Sequence, residues 1–237
     1  MGTGDTMTEF TEKHHAFIAA CFYDVLTTRF GKRGKKAFIH ATIRYAEQRG
    51  SRMAQRAIRD GRELDYATYK EYGEWVNTQT VKDEGCDNRG YIKAYNPDFI
   101  DITTSCPWAT QFKEMGMEKG GTVYCQYLDP SIVRGFNPEL TYITDQSLHE
   151  HDCCIQRVLN SGLPDGFSVA KKKEYLVGFD YHCGHNFKTY SQISRAIFGT
   201  EGELAANEVL QRFADAYGKD MADVLVKYLD TDFDLTY

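Results

Sequence analysis

At 237 residues the chain is long enough to enclose a sizeable core, and 42% hydrophobic with 26% charged residues is the balance of a folded globular protein. A net charge of −6, with dense basic runs confined to residues 32–36 and 171–173, excludes the clustered positive field that nucleic-acid binding requires. No stretch is apolar enough to span a bilayer, residues 1–9 are unlike a signal peptide, and seven unevenly spaced cysteines do not read as a disulfide framework, so a reducing cytoplasm away from membranes is expected.

Residues 1–5 read as a loose end. From Thr6, the residues Phe10, His14, Phe17, Ile18, Cys21, Phe22, Val25 and Leu26 recur at threes and fours, which predicts a helix with Thr6 and Glu9 as a capping box and Gly31 beyond its end. His14 lies on the apolar stripe and reads as a packed core histidine. A second helix starts near Arg33, buries Ala37, Phe38, Ala41, Tyr45, Met53, Ala57 and Ile58, and ends at Gly61. Its many arginines read as a solvated face. Of the two nearest Tyr45, either Arg44 or Arg49 would hold a substrate carboxylate bidentately if it pointed inward.

Residues 66–76 form a short aromatic helix, and the polar residues to Asn88 read as a loop. Period-two alternation predicts strands at 91–95 and 99–103 around an Asn96-Pro97-Asp98 turn. Cys106-Pro107 opens a helix that Gly116 or Gly120-Gly121 stops. Residues 123–133 are helical, with a break or kink expected at Pro130. Two strands, 140–148 and 153–159, make a hairpin through His149–His151. Residues 168–177 carry no clear pattern, and helices follow at 179–198, 202–217 and 219–229. The expected fold is α+β in one domain: a small, mostly antiparallel sheet with helices packed on it, a helical N-terminal layer (6–80), a sheet and pocket core (90–160) and C-terminal helices (178–230).

Residues with chemical uses crowd between Cys106 and Cys154. Cys106 precedes a proline at a helix N-terminus, where unpaired N–H groups lower a thiol pKa. Cys125 and Asp129 share a helical face four residues apart and could share a proton. Cys153 and Cys154 point to opposite faces of a strand, and the pattern leaves open which one faces the helices. Each thiol also has a plain reading as a buried, inert side chain. Farther on, His182 and His185 share a face of the 179–198 helix. Zinc would accept Cys106, Cys125, Cys153 or Cys154, and His182 or His185, but no compact Cys-x-x-Cys pair exists, so neither a metal nor another cofactor is assigned. Phosphate-loop, dinucleotide and Gly-x-Ser-x-Gly signatures are missing.

Cys106-Pro-Trp108, Phe112-Lys-Glu-Met-Gly116, Tyr124-Cys125, Leu128-Asp129, Val133-Arg134-Gly-Phe-Asn-Pro138 and Cys154 together resemble the L-2-amino-thiazoline-4-carboxylic acid hydrolase family, which is spread widely across bacteria. The helix between Gly31 and Gly61, with Arg44-Tyr45, Arg49-Gly50, Met53-Ala54 and Arg56-Ala57, is similar to that family's N-terminal signature, so the likeness covers about residues 20–160. The strands, helices and Cys-bearing hairpin are also similar to small-molecule-binding domains of the vinyl-reductase type, which are not all enzymes.

The resemblance implies hydrolytic opening of a small heterocycle at a C=N or C–N ring bond. Water attacks the amidine-like carbon of a thiazoline carboxylate and gives N-carbamoyl-cysteine. Such chemistry needs an activated water or thiol, an acid for the ring nitrogen and a grip on the carboxylate. The expected roles are Cys106 or Cys125 as nucleophile, Asp129 as base or orienter, His182 or His185 as acid/base, and Arg134 as carboxylate clamp, with Asn137, Trp108, Tyr124 and Cys154 lining the pocket. Arg134-Gly-Phe-Asn137-Pro reads equally as a structural turn. The alternative is a non-catalytic small-molecule-binding domain or a zinc or redox sensor. The aromatic helices could also bury a homo-oligomer interface.

Overall fold

The computed structural model describes residues 9–236. The capping box expected at Thr6 and the loose end at 1–5 lie outside them. Helix α1 spans Glu12–Arg59 and is capped at Thr11, whose backbone N–H donates to His14 Nδ1 at 2.9 Å. The two helices read from the sequence are its two arms. They meet at Gly31, whose φ of 55° and ψ of −128° leave helical geometry. Contacts then pair outward from that joint: Gly34 lies against the Leu26 carbonyl, the Tyr23 and Phe38 rings sit 5.2 Å apart, and His15 Nε2 lies 2.8 Å from the Tyr45 hydroxyl. The second arm is therefore folded back along the first.

After α2 (Tyr66–Glu71) comes α3 (Gln79–Asp83), a short helical turn inside the stretch expected to be loop. The sheet strands are β1 (Arg89–Ala94), β2 (Phe99–Ser105), β3 (Tyr142–Gln146) and β4 (Cys154–Val158). They pair antiparallel in the order β1-β2-β4-β3, so the two hairpins join through β2 and β4. Between the hairpins lie α4 (Pro107–Glu114) and α5 (Glu118–Phe136), and α6 (Phe179–Phe198), α7 (Thr200–Tyr217) and α8 (Lys219–Lys227) complete the α+β fold. Residues 168–177 hold only a short 3-10 turn. They are strapped to the end of α2 by Lys172 N–H to Glu71 O and to the segment after it by Val177 N–H to Glu74 O. No helix among the described residues is long and apolar enough to cross a membrane.

Of the two stops offered for the Cys106-Pro107 helix the structure uses Gly116, and α5 is not broken at Pro130. Gly116, with φ of 66°, ends α4, while Gly120 and Gly121 sit inside α5 because side chains occupy the space of their missing Cβ atoms. Pro130 does not break α5, which runs on to Phe136. The missing proline N–H would have met the carbonyl of Gln126, an exposed residue, and one turn of helix is held beside it by Thr144 donating to Cys125 O.

A close helix contact sets the position of α5 against α1. A Cβ on Gly50 would lie 2.0 Å from Ile132 O, and one on Gly135 would lie 2.5 Å from Glu47 O, so each glycine admits the other helix's backbone. Gly50→Ala would push backbone against backbone and is expected to destabilise by about 3 kcal/mol. Urea unfolding measures that loss, and an unchanged midpoint would contradict it.

Candidate active site

One face of the sheet is the floor of a cavity of about 640 Å³. Strand register sets its rows: Thr103 pairs with Cys154, Asp101 with Gln156 and Gln156 with Thr144, and Val158 pairs with both Phe99 and Tyr142. Parity therefore settles the adjacent thiols, since Cys154 lines the cavity while Cys153 lies on the other side and receives the Gln146 amide at 3.3 Å. Above the floor, α5 presents Tyr124, Cys125, Leu128, Asp129 and Ile132 at helical spacing, and Cys106 and Trp108 come from the start of α4. Arg49 of α1 and Lys171 of the 168–177 strap complete the walls.

Burial dominates the protonation of this site. It pushes Asp129 up to about 6, against the pull of Arg49 and with help from Asp101. Asp101 is itself raised by burial despite Lys70 nearby. Gln156 donates its amide to Asp129 Oδ2 at 3.2 Å. The thiols move the same way: burial pushes Cys106 up to about 12 and Cys154 to about 11, and Cys125 lies well above its ordinary value. At Cys106 the helix-terminal N–H groups of Trp108 and Ala109 do favour the thiolate, but burial outweighs them, so the lowered pKa expected from its position does not arise.

Arg49 is 5% exposed. Its Nε is buried without a hydrogen-bond partner, 3.6 Å from Glu74 Oε2. Both Glu74 oxygens are already occupied, by Arg52 at 2.9 and 3.1 Å and by Arg56 at 2.9 Å. Beside Arg49, Lys171 donates to Trp75 O at 2.5 Å, and its pKa is pulled down to about 8 by burial, Arg49 and Lys70. The cavity is thus lined by the guanidinium groups of Arg49 and Arg89, the ammonium groups of Lys70 and Lys171, the carboxyl groups of Glu74, Asp101 and Asp129, and three thiols.

A sequence model of the L-2-amino-thiazoline-4-carboxylic acid hydrolase family matches residues 10–157. The chain belongs to that family. No curated protein and no solved structure matches it. The family's span contains both halves of α1, the whole sheet but for its last residue, and α4 and α5, so the cavity floor and most of its walls are family structure. Lys171 comes from beyond that span.

Of the residues expected at the site, Cys106, Trp108, Tyr124, Cys125, Asp129 and Cys154 converge on this cavity. Four do not. Arg134 is on the outside of α5, where Glu47 Oε1 accepts from its Nε and Nη2 at 3.0 and 2.8 Å. Asn137 is a turn residue that donates to Leu64 O and accepts from Glu139 N–H. His182 and His185 are core side chains with lowered pKa values caused by burial, and neither lines the cavity. His185 Nε2 meets Gln48 Oε1 at 2.9 Å and its ring stacks on Phe233. The shared face of α6 is buried in the core, where His185 and Thr189 both meet Gln48, and this is why the i, i+3 spacing of the two histidines misleads. With the histidines in the core, the zinc set does not assemble, and no group of three or more His, Cys, Asp or Glu among the described residues could hold a metal ion.

The open choice on α1 resolves as well. Arg44 is exposed and pairs with Asp234, whereas Arg49 faces the cavity. Sequence reasoning missed Asp101, whose strand parity with Thr103 and Phe99 was the available signal, and Lys171, which has no local signature. It also missed His149. The Nε2 of His149 is 3.4 Å from Cys125 Sγ.

Proposed function

We propose that the chain is a hydrolase that opens a small, carboxylate-bearing cyclic amidine of the 2-amino-thiazoline-4-carboxylate kind within this cavity. The observation that carries the reading is the presence, in one cavity, of the Asp129 carboxyl group and the Arg49 guanidinium, whose Nε has no hydrogen-bond partner. A cyclic amidine acid is zwitterionic near neutral pH. Its carboxylate suits the fork of Arg49 with Lys171 beside it, and its amidinium N–H suits the Asp129 carboxylate. Both charges of the substrate are then matched where water is scarce and each contact is strong.

The chemistry follows from that placement. Asp129, ionised above about pH 6, holds the ring as its amidinium, and the protonated nitrogen draws electron density from the carbon between the heteroatoms. Attack on that carbon gives a tetrahedral centre. Net addition of water to the C=N carbon forms a C–O bond and breaks the ring C–S bond, not the C–N bond, and so releases the ring sulfur as the thiol of N-carbamoyl-cysteine.

Incubation of the protein with L-2-amino-thiazoline-4-carboxylate is expected to give a product heavier by one water and bearing one new thiol. The absence of both product and binding would overturn the reading. Its pH profile is expected to be bell-shaped. kcat/KM rises through about pH 6 as Asp129 ionises and falls above about pH 8 as Lys171 loses its charge. Asp129→Asn should abolish the acid limb with most of the rate, and Lys171→Met should flatten the alkaline limb. An alkaline limb that persisted in Lys171→Met would assign it to another group.

A further inference from the structure

We infer that Cys125 is the nucleophile of this site and that His149 is the base that takes its proton. The assignment deepens the ring-opening reading and rests on it for the substrate alone, because the dyad itself stands on geometry. Cys125 lines the cavity, and its S–H is placed to donate to His149 Nε2 across 3.4 Å. The imidazole is delivered by the turn between β3 and β4 and seated on bare helix. A Cβ on Gly121, one turn before Cys125 on the same face of α5, would lie 2.2 Å from His149 Cε1, 2.4 Å from Nδ1 and 2.6 Å from Nε2. Phe112 closes the ring's other side edge-on at 5.4 Å. The turn is held by His149 N–H donating to Ser147 Oγ and by Leu148 N–H donating to Cys154 Sγ. Packing thus fixes the ring in place of the orienting carboxylate that often serves this purpose.

The other two cavity thiols have different neighbours. Cys106 meets helix-terminal N–H groups and Cys154 meets the Leu148 N–H, so each has a donor facing it and no base in contact. The charged and titratable groups facing the dyad are Asp129, Cys106 and Cys154 towards the cavity and Glu118 on α5. Burial holds Cys125 as a thiol and lowers His149 to about 4, so the resting pair is neutral and the proton moves during attack.

In the first step the Cys125 sulfur bonds to the amidine carbon as its proton passes to His149 Nε2. The ring C–S bond then breaks and the departing ring sulfur takes that proton, leaving the opened substrate on Cys125 as an S-linked isothiourea. In the second step water adds to the same carbon, giving a proton to His149. The Cys125–carbon bond breaks, the sulfur recovers the proton, and the carbamoyl product leaves. One water is consumed and nothing is oxidised or reduced.

The test is alkylation of the full chain by iodoacetamide at pH 7, located by peptide mass, in variants first matched to the wild type by circular dichroism. Among the three cavity thiols, Cys125 is expected to react before Cys106 and Cys154. His149→Gln should slow it by about 100-fold, the usual contribution of a positioned base. In His149→Ala, added imidazole should restore part of the rate. Gly121→Ala, which displaces the ring from its seat, should also slow the reaction. Equal rates at Cys125 in wild type and His149→Gln, or preferential labelling of Cys106 or Cys154, would overturn the dyad. Since no ring substrate is used, a dyad that passes alongside absent ring opening would condemn the substrate and not the nucleophile.

Discussion

Arg49→Met is expected to lower kcat/KM for a thiazoline carboxylate by about 100- to 1,000-fold, the loss that follows when one partner of a buried charge-assisted pair is removed. The reason lies in what Arg49 does not already hold. Glu74 is satisfied by Arg52 and Arg56, and the nearest approach of Arg49 to it, 3.6 Å, is too long for a hydrogen bond. Removing Arg49 leaves the hydrogen bonds of Glu74 to Arg52 and Arg56 in place and takes away one longer ion pair, so the fold should survive with a modestly lowered melting temperature. The control is the ring without its carboxylate, 2-amino-thiazoline. On that compound Arg49→Met and wild type should turn over at similar, low rates. Arg49→Lys should recover only part of the loss, because a point charge lacks the planar fork. An equal drop on both compounds would show that Arg49 supports the cavity wall and does not grip the carboxylate.

By contrast Arg134, the clamp suggested by the family motif, should matter little. Its pair with Glu47 is about half exposed on one side and more than a third exposed on the other, and exposed pairs of this kind contribute at most about 1 kcal/mol. Arg134 ties α5 to α1 beside the Gly50–Gly135 contact, which is a packing role.

How far the fold and site could be read from the chain follows from the range of the signals. Periodicity is local, and so the arms of α1, the four strands and α6 were legible within a few residues, as was the helix opening at Cys106-Pro107. Parity on a strand is also local, but choosing between Cys153 and Cys154 needed the side on which α5 packs, and that is a tertiary fact. The same limit hid His149, since its partner is 24 residues earlier and the enabling feature is the absence of a side chain at Gly121. In sequence Gly120-Gly121 looks like punctuation. His182 and His185 failed in the opposite direction, because residue type suggested chemistry where packing had already used the face. Lys171 comes from a stretch without periodicity, and only its contact with the segment after α2 brings it to the cavity.

The largest effect on stability is expected at Glu74, which is fully buried among Arg49, Arg52 and Arg56. It ties the loop after α2 to the second arm of α1 and so holds Trp75 and the Lys171 strap over the cavity. Glu74→Gln keeps the shape and removes the charge, leaving buried guanidinium groups without an anion. Breaking a buried pair in this way costs about 4 kcal/mol, which lowers the melting temperature of a chain this size by roughly 10 °C. The pH dependence has a definite sign. Burial is the largest single influence on Glu74 and acts to raise its pKa, but the three arginines together outweigh it and hold the group below its ordinary 4.5. A depressed folded pKa means that the stabilisation is complete above the unfolded value and is lost as pH falls through the folded one. Urea midpoints of wild type and Glu74→Gln should therefore differ most near neutrality and converge in acid. A gap that stayed constant down to pH 3 would show that Glu74 acts through shape and hydrogen bonding alone.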